Sequence, residues 1–286
     1  MSFQKLLIAV AVCSMLLSGC TGMQTRAKSS VVDYLYPEGL NSAVEPSVPV
    51  LTLPVAVGIA FVPEQGPHTR SGINWVGQYN SNELTEKDKT DLLNRVADHF
   101  KSLEFVSHIE IIPTAYLRAE GSFANLEQIK SMFGVDVVAL VSYDQIQFTD
   151  EGFLSLSYWT LVGAYMVSGE RNDTNTLMDT AVYDIASRKL LFRAPGVSNV
   201  KGRSTPVNLS EELRVDSKNG FEMATDDMIV NLDSQLQNFR DKVKESPEQY
   251  QVVHSANYSG GGAVSWLELL LLSLVMVHYR WFRRSR

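Results

Sequence analysis

Residues 51–61 read Leu51-Thr-Leu-Pro-Val-Ala-Val-Gly-Ile-Ala-Phe61. The run is rich in β-branched side chains and nearly continuous in apolar residues, which is the pattern of a strand buried on both faces. Such a strand needs covering elements on either side, and the flanking sequence supplies them. From Thr85 the pattern changes to Leu92, Leu93, Val96, Ala97, Phe100 and Leu103, a helical stripe with Thr85 as its N-cap and Asp88 three residues on. Ser107 to Pro113 reads as a strand, Asn125 to Gly134 as a short helix ending at its glycine, and Val135 to Tyr143 as a second buried strand.

The second half of the chain changes character. Gln145 to Phe148, Ser155 to Val167 and Thr176 to Ile185 are strand-like, and Ala186-Ser-Arg-Lys189 turns into Leu190 to Val200, an antiparallel set. Phe221, Ala224, Met228, Leu232, Leu236 and Phe239 then recur at three to four residues, predicting an amphipathic helix over about 218–244. The expected fold is α+β with α/β character: a mixed sheet with two or three packed helices, plus a C-terminal transmembrane helix. The opening strand Val55 to Phe61, Gly134-Val-Asp-Val-Val-Ala-Leu140 and Val182-Tyr-Asp-Ile-Ala-Ser-Arg-Lys-Leu-Leu191 loosely resemble periplasmic domains of the curli secretion channel lipoprotein. That likeness implies an oligomeric export component as the alternative function and carries over no functional residue.

The two ends of the chain carry processing signals. Met1 to Gly19 has Lys5 as its one charge, an apolar core from Leu6 to Leu17, and Leu17-Ser18-Gly19-Cys20 at its boundary. Those four residues resemble the lipobox of bacterial lipoproteins. The resemblance implies cleavage before Cys20, diacylation of its thiol and, with Thr21 rather than Asp next to it, delivery to the outer membrane. Cys13 and Cys20 are the two cysteines of the chain, so the mature domain has no thiol for a disulfide and its core must hold it. At the far end stand Ser259, Gly260, Gly261 and Gly262, an apolar run from Ala263 to Val277 interrupted by Glu268, and a basic end at Arg280, Arg283, Arg284 and Arg286. The run is shorter than the roughly 20 residues of an ordinary span. Its arginines place the end in the cytoplasm by the positive-inside rule. Three glycines disfavour helix by about 1 kcal/mol each relative to alanine, as intramembrane proteolysis requires. This arrangement resembles the GlyGly-CTERM tail cut by rhombosortase, and with the lipobox the whole chain resembles the rhombotarget lipoprotein family. The implied cleavage region is Gly260, Gly261, Gly262 and Ala263. A chain lipidated at Cys20 and still spanning at its tail stays in the inner membrane, so cutting the tail would release it to the outer membrane or cell surface.

Between the ends, 20–48 reads as a flexible tether, 49–245 as an extracytoplasmic domain and 246–259 as a linker. Without Lys5 and the four tail arginines 20 of the 25 basic residues remain; without Glu268, 31 of the 32 acidic ones remain, a net of about −11. That balance excludes nucleic acid as a partner. The expected partners are the membrane, lipoprotein-processing enzymes, the rhombosortase and an unidentified protein.

Chemistry is sparse. There is no HExxH, CxxC, GxSxG or phosphate-loop pattern, and the domain histidines His68, His99 and His108 form no metal pair. Asp226, Asp227, Asp233 and Asp241 read as a solvated helix face, and Asp179 and Asp184 as edge and turn residues. No catalytic residue, cofactor or metal is expected; a small envelope hydrolase with residues scattered in sequence is the remaining enzymatic alternative. The aromatic stretch Phe153 to Gly169 reads as a core strand, or as a partner-facing surface in which Tyr158 to Val167 line subunit contacts.

Overall fold

The computed structural model describes residues 23–39, 47–64, 84–151, 170–204 and 208–255. The main sheet has six strands. Its centre is β3 (Val55–Phe61), parallel on one side to β4 (Val106–Ile111) and on the other to the first half of β5 (Val137–Glu151). Then β6 (Glu170–Asp184) and β7 (Leu190–Ser204) follow antiparallel. The second half of β5 outruns β3, and its free side is taken by β1 (Met23–Lys28), antiparallel with Met23 opposite Thr149 and Lys28 opposite Asp144. A second, two-stranded sheet joins β2 (Val50–Leu53) and β8 (Gln251–His254) in parallel.

Helices α2 (Glu86–Phe100) and α4 (Leu209–Glu245) cover one face. Helices α1 (Val31–Leu35) and α3 (Ser122–Phe133) cover the other. Alternate residues of one strand serve the two layers: on β5, Val137, Ala139, Val141 and Tyr143 face α2 and α4, while Val138 and Leu140 face α3. The mixed sheet is as the sequence predicts, but four helices pack on it among the described residues rather than two or three, because α1 lies in the stretch read as a tether.

Local signals explain the element ends. The Thr85 hydroxyl accepts from the Asp88 N–H at 3.2 Å and the Asp88 carboxylate accepts from the Thr85 N–H at 3.3 Å, the reciprocal cap read from the sequence. Helix α3 stops at Gly134, whose φ of +67° is left-handed. Ser187 donates its N–H to the Asp184 carboxylate at 2.8 Å, and Arg188 takes φ +60° to close the β6–β7 turn.

Four expectations are corrected. The run 51–61 is two strands in different sheets, divided at Pro54, which has no N–H to continue a ladder. The 20–48 tether contains β1 and α1: Ala27, Val31, Tyr34 and Leu35 are buried, and the Tyr34 hydroxyl donates to the Asn125 side chain at 2.9 Å. Strand β1 is held by backbone pairing to β5 along its length, and Ala27 is the one of its described side chains that enters the core. The 246–259 linker contains β8. Helix α4 begins nine residues before 218, at Leu209, because its first turns lie on a polar layer and so lack an apolar stripe.

Cys20, the 152–169 stretch, the Gly260–Ala263 hinge, the apolar run and the terminal arginines lie outside the described residues. Among the described residues no helix is long and apolar enough to cross a membrane.

Candidate functional site: an apolar cleft beneath the C-terminal helix

The apolar stripe of α4 continues past Phe239 to Val243, and this stretch and α2 line a common space over the sheet. Between them opens a cleft of about 350 Å³. Its floor is the sheet, through Val57, Ile59, Val137, Ala139 and Val182. Its walls are Val96, Ala97 and Phe100 of α2, Leu232, Leu236 and Phe239 of α4, and Leu103 and Phe105 of the connection into β4. Leu51, Leu53 and Val252 of the small sheet close one end. That volume falls in the range of about 300–1,000 Å³ typical of small-molecule sites.

Three polar residues line the cleft: Thr180, Arg240 and Lys244. The Thr180 hydroxyl is turned to the Met228 sulfur at 2.9 Å. Arg240 lies with its guanidinium 5.5 Å from the centre of the Phe105 ring, an exposed cation against an aromatic face. Lys244 reaches Asp241 at 3.0 Å on the exposed side of the helix. The polarity of the site is thus concentrated at its rim.

Toward the other end of α4 the interior is polar. Gln145 donates to the Thr176 hydroxyl at 2.8 Å and to the Ser217 carbonyl at 3.0 Å, and accepts from the Ser217 hydroxyl at 2.6 Å. Gln147 donates to Thr174 at 2.9 Å and to the Leu213 carbonyl at 2.8 Å. Asp216, 6% exposed, has its carboxyl pushed above the usual range by burial, reinforced by Glu212 and opposed by a hydrogen bond from Asn172. One oxygen of Gln147 and one of Asp216 have no hydrogen-bond partner among the described residues. This layer is closely filled: a Cβ on Gly220 would lie 2.6 Å from the Thr176 hydroxyl, and one on Gly202 would collide with Asp216. It is a structural seam with no room for a ligand.

The aspartates singled out on α4 do not converge. Asp226 pairs with Arg95 at 3.0 Å and Asp233 with His99 at 2.8 Å, tying α4 to α2 across solvent. Asp227 accepts the Val197 N–H at 2.9 Å and Asn231 donates to the Pro195 carbonyl at 2.8 Å, which covers the middle of the edge strand β7. Asp179 chelates Arg193 at 2.7 and 2.8 Å; burial raises its carboxyl in spite of that partner. Asp184 makes the β6–β7 turn described above. Among the described residues no three His, Cys, Asp or Glu side chains form a metal-sized group.

No protein-family model and no curated protein matches the chain. Among solved structures it is similar to a PelC dodecamer from Paraburkholderia phytofirmans, at 12% identity and a TM-score of 0.25, over 72% of this chain and 99% of that one. A superposition that loose transfers neither site nor assembly.

Sequence reasoning misses the cleft because its lining comes from nine elements, two of which, β2 and β8, read locally as part of a longer strand and as a linker. The one signal available was Val243, which extends the α4 stripe at the i+4 spacing from Phe239.

Proposed function

We propose that this chain is an exported envelope lipoprotein, anchored by lipid at Cys20, whose tail is removed by a rhombosortase near Gly260–Ala263 and whose domain is a non-enzymatic binding module. The observation that carries the binding role is the cleft beneath α4, apolar within and cationic at its rim. The processing role is supported by the sequence of the two ends and by where they join the domain. Met23 is paired with Thr149 at one end of β5, whereas Leu53 accepts a backbone bond from Ser255 beside the other end. The span from Val137 to Thr149 is about 40 Å at about 3.3 Å per residue. Two anchors leaving opposite ends hold the domain along the membrane, and loss of the tail leaves it hanging from its N-terminal lipid.

The intact mass of the membrane-extracted protein, from cells with and without their rhombosortase-type protease, tests this. A lipidated Cys20 in both, with the last roughly 24 residues lost only where the protease is present, is expected. An intact C-terminus in both strains makes the tail a plain anchor.

A second reading, an oligomeric export component, is favoured by the open face of the β5–β6–β7 arm. Phe148, Leu177 and Val197 are 40%, 41% and 60% exposed there, and Leu177 and Val197 are cross-strand neighbours. Size-exclusion chromatography of the processed protein separates the two: a ring-sized species supports export, a monomer the binding module.

A further inference from the structure

We propose that the cleft beneath α4 takes the alkyl chain of a long-chain fatty carboxylate, with the carboxylate held at the rim by Arg240 and Lys244. This rests on the binding-module reading and specifies its ligand.

With the Thr180 hydroxyl already committed to Met228, the interior offers hydrogen bonds to nothing, so a buried ligand portion must be hydrocarbon. The volume of about 350 Å³ is at the lower end for ligand sites, room for one chain and too little for a two-chain phospholipid. The head group is then left at the rim, where both charged lining residues are cations. Arg240 has no carboxylate partner among the described residues and is stacked on Phe105, which presents its fork at a fixed position. Lys244 is held by an exposed contact to Asp241, of the kind that exchanges readily. Two cations at the mouth stand out in a chain of net charge −7.

The lipid at Cys20 and the apolar run of the tail do not fit. Cys20 is three residues from Met23, a reach of at most about 10 Å, and an extended acyl chain on it adds about 20 Å, short of the roughly 40 Å between Thr149 and Val137. Met23 is paired with Thr149, at the far end of β5 from Val137 in the cleft floor. The run Ala263 to Val277, read as a helix, would be about 10 Å across, wider than a single-chain site, and it ends in arginines that Arg240 and Lys244 would repel.

The test uses the full lipidated chain in native membranes and three C16 photoprobes with a diazirine near the chain terminus: a carboxylate, an alcohol and an amine. After irradiation, adducts are mapped by peptide mass spectrometry. The carboxylate is expected to label peptides containing Val96–Phe105 and Leu232–Val243, to be displaced by palmitate, and to label roughly tenfold more than the alcohol or the amine, in line with one charge-assisted contact. Arg240→Glu, a change at an exposed position, should lower carboxylate labelling about tenfold and leave alcohol labelling unchanged, with an unaltered circular dichroism spectrum. Equal labelling of the cleft by all three probes, unaffected by Arg240→Glu, overturns the carboxylate assignment while leaving a hydrophobic binding site. Label found only in the Ala263–Val277 segment, or none in the cleft, overturns this proposal and the binding module together.

Discussion

Between Val137 and Val141 the strands of the main sheet have helices on both faces and apolar side chains on both sides; between Gln145 and Thr149 the same strands have a helix on one face and bury glutamine, threonine and asparagine beneath it. One helix, α4, spans both regions, so the change in chemistry belongs to the sheet and not to a change of covering element. The apolar half gains from area removed from water, which tolerates imprecision in position. The polar half gains little net free energy per bond, about 0.5–1.5 kcal/mol, but an unmade bond there costs about 1–3 kcal/mol. The polar half therefore fixes how α4 and the arm register on one another, and the apolar half supplies most of the stability. It is in the apolar half that filling is incomplete, and that is where the cleft opens.

Five substitutions can break or sharpen this contrast. Leu140→Ala, at a fully buried position between β5 and α3, should cost about 3 kcal/mol and lower the melting temperature by about 6–12 °C in thermal denaturation. An equal loss from any polar-half substitution would deny the division. Gly196→Ala is next: a Cβ there would meet the Ala224 carbonyl and lie 2.6 Å from the Met228 Cβ, where α4 crosses β7, so about 2 kcal/mol of overpacking is expected in denaturant titration.

Within the polar half, Gln145→Leu and Gln147→Leu make a matched pair. Gln145 has both ends of its amide bonded, and its loss strands Ser217 and Thr176, at about 2 kcal/mol. Gln147 already carries an oxygen without a partner among the described residues, so its replacement should cost under about 1 kcal/mol. Equal costs would mean that burial and not bonding sets the seam.

The smallest effect concerns Asp216. Burial raises its carboxyl, so the folded state holds this proton more firmly than the unfolded chain does. The stability it contributes is complete below the unfolded value, ordinarily near 3.9, and is lost as pH rises through the folded value. Asp216→Asn, which cannot ionise, should match the parent near pH 3 and melt slightly higher at pH 7. A variant that melts lower at pH 7 would show that the charge is retained and satisfied.

How much of this was legible before the structure depends on which half is considered. Residues 85–143 carry their own signals, and helix, strand, cap and terminal glycine lie where Thr85, Asp88 and Gly134 put them. In the arm, Gln145, Gln147, Thr174 and Thr176 look like surface residues on a half-solvated sheet, because sequence records polarity and not whether a helix lies over it. For the same reason the apolar stripe reveals α4 only from about 218, nine residues after its start: the turns from Leu209 to Ser217 lie over that polar layer and carry no stripe. The cleft was illegible because Leu51, Phe105, Leu236 and Val252 are ordinary core residues in any local window.

By itself the sequence determined the chain's secondary-structure alternation, its two-sided central strands and its lack of any domain cysteine, and the processing proposal rests on its end segments alone. These are local properties: periodicity, composition and caps act within a few residues. Only the tertiary structure decided that 23–35 belongs to the domain, that β8 returns to β2, and that Arg240 stands at the mouth of an apolar cleft. Each of these depends on pairing or packing between residues far apart in the chain, and the same side chain is surface or core according to what that pairing lays over it.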